Sequence, residues 1–131
     1  MIEIEIERSI DVEDEIRKIL ADHLTAYCRP LPVNYALPNI LVTQVGGSDT
    51  NMVDTFEIVL DSRASHEAEA LEYLRNAVGI LKARAGRSDT PIRFVTVNSS
   101  GSWGMDPVRE DLAMCSARLE VVAHLENVTI N

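Results

Sequence analysis

The sequence predicts an α+β fold: a mainly antiparallel four-stranded sheet with a long C-terminal strand, two helices packed on one face, and an extra N-terminal strand or extended arm over residues 1–8. Three observations carry this. The run from Leu112 to Leu125 alternates: Ala113, Cys115, Ala117, Leu119, Val121, Ala123 and Leu125 fall on one face of an extended chain. The more polar set Leu112, Met114, Ser116, Arg118, Glu120, Val122 and His124 falls on the other. Two other stretches, 12–28 and 64–84, repeat apolar residues at helical spacing. Short β-branched runs lie between and after them, giving the order helix, two strands, helix, two strands within one domain spanning 1–131.

In chain order, residues 2–7 alternate Ile and Glu, as a half-buried strand or arm does. Asp11 then reads as an N-cap, with Glu13, Asp14 and Glu15 in the first turn, where the helix dipole favours anions. Val12, Ile16, Ile19, Leu20, Leu24 and Tyr27 form the stripe of the first helix, and Arg29-Pro30-Leu31-Pro32 ends it. Strands follow at 40–45 and 54–61, separated by a loop of turn formers from Gly46 to Val53. Ser62 or Ser65 caps the second helix, whose apolar stripe is Ala68, Leu71, Leu74, Ala77, Val78 and Leu81; Gly86 closes it. A strand at 92–97 leads through a loop over 98–107 into the long alternating run. Leu119 and Val121 are expected in the core with Ile58 and Leu74.

The net charge of −9 argues against a grip on nucleic acid through phosphate neutralisation. No apolar run reaches the roughly 18 residues that span a bilayer, and the acidic start lacks the form of a signal peptide, so cytoplasmic residence is the default expectation. In that compartment Cys28 and Cys115 read as buried free thiols and not as a disulfide.

Chemistry-bearing residues do not converge. His23, His66 and His124 are scattered, and His23 with Cys28 has poor spacing for a metal on one helix face. Ser65-His66-Glu67 is a helix start, because adjacent residues cannot form a relay. Asp54 and Asp61 flank a strand, where aspartates generally terminate pairing; a paired-carboxylate centre is the weaker reading. Gly46-Gly47-Ser48-Asp49 lacks the spacing of a phosphate-binding loop. The expectation is a protein without enzymatic activity, cofactor or metal. The lone Trp103, between Gly101 and Gly104, either folds back to cap the core or anchors a subunit contact.

Features spread over about residues 10–126 carry a resemblance. They are a helix, a proline-bearing segment and a strand into a polar loop (Pro38 to Gly47). Next comes an acidic-ended strand running into an alanine-rich helix (Phe56 to Ser65, then Ala68 to Leu81). Last is a loop with Trp103 and Asp106-Pro107 before the long strand. In this order of pieces the chain resembles the tail terminator (tail completion, or minor tail) proteins of long-tailed bacteriophages; the N-terminal Ile/Glu arm has no match in that pattern.

The resemblance implies a structural virion protein. Such a protein is assembled in the host cytoplasm and forms a ring, typically a hexamer, at the head-proximal end of the tail tube. It stops tube polymerisation, contacts the tail tube protein and joins the tail to the head–tail connector or stopper protein. DNA passes through the lumen without specific binding, and no membrane is involved. A neck or head-completion adaptor shares size and composition, and a small α+β ligand-binding module or enzyme is the remaining alternative. For a ring, contacts are expected from the loops: Met52 and Val53 in one, Trp103 and Met105 in the other. Arg84 and Arg87 are expected to meet a neighbour's Glu13-Asp14-Glu15, a rim pairing that sets orientation more than affinity.

Overall fold

A computed structural model describes residues 2–49 and 53–131. Its centre is the alternating C-terminal run. Cys115, Ala117, Leu119, Val121 and Ala123 are buried there, while Arg118, Glu120 and His124 are exposed. A strand with one apolar face needs partners on both edges and a cover on that face, and it has them. In chain order the elements are β1 (Ile4–Arg8), α1 (Val12–Ala21), β2 (Ala26–Cys28), β3 (Asn39–Asp49), β4 (Val53–Ala64), α2 (Glu67–Arg84), β5 (Ile92–Met105), β6 (Ala113–His124) and β7 (Glu126–Ile130). The fold is α+β: a mixed five-stranded sheet in the order β2-β3-β4-β6-β5, and a separate two-stranded ribbon, β1-β7. All pairings are antiparallel except β2 with β3.

Both helices cover one face. Val12, Ile16, Ile19 and Leu20 of α1 and Ala70, Leu74, Ala77 and Leu81 of α2 join Ile58, Leu60, Leu119 and Val121 in one core cluster. Asp11 caps α1 as expected, its carboxylate accepting the Asp14 N–H at 3.2 Å. Asp11→Ala should therefore cost about 1 kcal/mol, read as a small fall in the thermal midpoint without loss of fold.

Five expectations need correction. The sheet has five strands, not four, and one pairing is parallel. The first helix ends at Ala21 and not near residue 28. Ala26, Tyr27 and Cys28 pair with Ile40, Leu41 and Val42, and the Thr25 N–H donates to the Tyr73 hydroxyl, so tertiary pairing overrides the helical spacing of Leu24 and Tyr27. α2 starts at Glu67; Ser62 is buried in β4 and its hydroxyl donates to the Ala70 carbonyl, so it is no cap, and His66 occupies the N-cap with no side-chain capping bond. Ala70, not Ala68, is buried on α2.

The last correction concerns both long loops, which are mostly strand. β3 continues through Gly46 to Asp49 past an irregularity at Gln44/Gly46, and β5 continues to Met105 past three more. Glycine in such a strand marks a bulge or a close backbone approach. Gly101 sits at φ +83°, and a Cβ on Gly47 would lie 2.7 Å from the Thr55 carbonyl oxygen of the facing strand.

The N-terminal segment is a strand, paired in register with β7 from Ile4↔Ile130 to Arg8↔Glu126. Alternation places Ile4, Ile6, Val128 and Ile130 on one face of the ribbon and Glu5, Glu7, Asn127 and Thr129 on the other. β1 and β7 pack on each other and, among the described residues, make no substantial contact with the remaining elements.

Candidate interaction surfaces

The first surface is the outer strand β5. Its register places Phe94 at one end of the sheet, across from Val122, and Trp103 and Met105 at the other, across from Cys115 and Ala113. Phe94 is 68% exposed, Trp103 49% and Met105 65%. Trp103 is not among the residues packed against the core cluster. An edge strand with free backbone groups and exposed apolar side chains is a surface that another chain can cover.

Val53 begins β4, half-buried and across from His124; Met52 lies outside the described residues. Arg84 ends α2 and is already engaged, its guanidinium 3.4 Å from Asp22 and 3.1 Å from Asp89. Arg87 is exposed; its carbonyl accepts from Arg93, while its own guanidinium makes no ion pair or hydrogen bond among the described residues. Val53, Arg84 and Arg87 therefore lie toward one end of the sheet, and Trp103 and Met105 toward the other. The acidic first turn of α1 is not an open patch. Glu13 holds Arg29 at 2.8 Å and accepts the Gln44 N–H at 2.9 Å. Asp14 binds Arg17 and Lys18, and the Arg17 hydrogen bond leads in holding its carboxyl below the usual range.

Just past the end of β5, Asp106 reaches β4, where its Oδ2 meets Arg63 Nε at 2.5 Å, with both side chains buried. Burial would push the Asp106 carboxyl up. The Arg63 bond and the Arg109 and Val108 N–H donors outweigh it and leave the carboxyl below its ordinary 3.8. Beside this pair an apolar recess of about 400 Å³ is walled by Pro32, Val33, Tyr35, Leu41, Pro107 and Val108. The ribbon adds the exposed Ile4 and Ile130, and Ile2 just before it is exposed as well.

Among the described residues no three His, Cys, Asp or Glu side chains are grouped to hold a metal, and no helix is long and apolar enough to cross a membrane. Asp54 and Asp61 fall on opposite faces of β4. Asp61 accepts from Ser116 on the open face, while Asp54 is buried on the other, so they do not converge as a catalytic pair. Both cysteines are free, but only Cys115 is buried as expected, Cys28 on the edge strand β2 being half-buried; desolvation pushes both thiols up from 9.0, which keeps them protonated at neutral pH. The sequence reading missed the Arg63–Asp106 pair, the apolar face of the ribbon and the burial of Asp54. Only the ribbon had a signal, the alternation of Val128 and Ile130 with polar neighbours. Neither a family model nor a curated protein matches this chain.

Proposed function

We propose that this chain is a structural subunit of a ring at the head-proximal end of a phage tail tube, ending tube growth and joining the tail to the head connector. The observation that carries the reading is the set of apolar groups left uncovered on a free edge strand and a separate two-stranded ribbon: Phe94, Trp103, Met105 and Ile4, each 49% exposed or more. Trp103 and Met105 lie close along one end of the free edge strand, and an apolar pair of that kind on an outer element suits a subunit that closes side by side with copies of itself. The net charge of −9 adds support, because an acidic passage repels phosphates and lets DNA slide.

Two experiments test this. Negative-stain imaging of the purified protein, alone and mixed with phage tail tubes, should show closed rings and rings seated on tube ends. A monomer at all concentrations, with bare tube ends, refutes the assignment. Trp103→Ala should weaken assembly about tenfold or more, as loss of an interface anchor does, and leave the monomer's melting curve nearly unchanged. Loss of the folded monomer would instead place Trp103 as a cap on the core.

A further inference from the structure

Asp54 is a buried carboxylate that no described residue holds. It is 2% exposed, and among the described residues neither of its oxygens has a hydrogen-bond partner. Folded proteins pair or hydrogen-bond buried charges, because an isolated ion is poorly solvated inside them. Asp54 lines a cavity of about 350 Å³ whose described lining also includes Ser9, Gln44, Ser48 and Thr55. A single carboxylate in a cavity lined otherwise by uncharged residues suits an organic monocation that donates several hydrogen bonds. A divalent ion would keep half of its charge uncompensated.

The cavity's place in the sheet points to the source of that cation. β2 pairs with β3 only as far as Val42, so from Gln44 onward β3 is the margin of the sheet. On the opposite margin, at the same end of the strands, stands Arg87. The Gly86 N–H binds the Ile92 carbonyl, Ile92 faces Ala123, and Ala123 faces Asp54 across the next pair of strands. Among the described arginines only Arg87 and Arg118 lack an ion pair or side-chain hydrogen bond, and Arg118 sits in the middle of the open face. A donor and an acceptor at one level on opposite margins make a head-to-tail contact that repeats around a closed ring.

We infer that the Asp54 cavity receives the Arg87 guanidinium of a neighbouring copy, an inference that rests on the ring reading above. The α1 carboxylates do not compete for it, since Glu13 and Asp14 already hold cations of their own chain. The Asp54 oxygens are shielded, so entry requires one wall side chain to move. Gln44, held by a single 3.4 Å bond from Nε2 to the Gly46 carbonyl, is the group that yields.

The test is a double-mutant cycle on self-association, measured by analytical ultracentrifugation over a concentration series, with Asp54→Asn, Arg87→Gln and both together. Each single variant should weaken association about tenfold or more, and the double no further than the worse single. Arg87 is exposed, so Arg87→Gln tests the contact even if Asp54→Asn fails to fold. Additive losses, or a ring of unchanged affinity in Arg87→Gln, overturn the contact while leaving the ring intact. A wild-type chain that never associates overturns the ring reading and the contact together. Stoichiometric divalent metal on the wild-type protein, lost in Asp54→Asn, would make the cavity an ion site and refute the arginine.

Discussion

Leu119→Ala should lower the melting temperature by on the order of 10 °C. Leu119 is 1% exposed on β6, flanked by Ile58 on β4 and Val97 on β5, and belongs to the same core cluster as Leu74 of α2. Truncation there removes buried apolar surface and leaves a cavity at the crossing of both layers, a combined loss of about 2–5 kcal/mol. Its neighbour Glu120 is the control. It is exposed, and it lies directly across from Glu57, a like-charge pair. Glu120→Ala should move the midpoint by little and, if at all, upward. Thermal melts of the two variants followed by circular dichroism check both statements; equal curves would show that the odd-numbered face of β6 is not core.

Asp106→Ala should destabilise by about 3–5 kcal/mol, because it strands the Arg63 guanidinium in a buried site. Arg63 Nη1 already lacks a partner, so the Asp106 contact at Nε carries the charge compensation. The carboxylate also accepts from the Val108 and Arg109 N–H groups, so the turn after β5 loosens with it. The same contact sets an acid limit. The folded carboxyl is held below its ordinary 3.8, so its stabilisation is complete above that value and is lost as pH falls through the lower folded value. Urea titrations should show wild-type stability declining below about pH 4, with a shallower decline in Asp106→Ala. An equal slope in the two proteins would refute the assignment of that limit to Asp106.

The elements that sequence made legible are those where one pattern dominates. β6 obeys a period of two for its whole length, and both helix stripes have their core residues at Ile16, Leu20, Leu74 and Leu81. The ends of elements were harder, for physical reasons. Tyr27 continues a helical spacing, yet its backbone is captured by β3. Ser99, Ser100, Gly101 and Ser102 have the composition of a loop, but a bulged edge strand needs no apolar face and accepts it. Arg63 and Asp106 are 43 residues apart, and nothing local in the chain announces their meeting. Asp54 looked like a strand terminator because sequence shows a residue's type without its burial.

The β1–β7 ribbon joins segments nearly the whole chain apart, Ile4 with Ile130. Measured along the sequence this is the costliest closure in the molecule. Once Ile10 is fixed in the core and β6 is laid down to His124, however, only a few residues on each side remain free, and the ribbon zips as locally as a hairpin. Folding order follows from that inversion: the sheet and helices must come first, and the ribbon forms last and opens first. A two-stranded ribbon alone is marginal in water. It is therefore a part of the subunit able to release its own pairing and change partners while the rest stays folded.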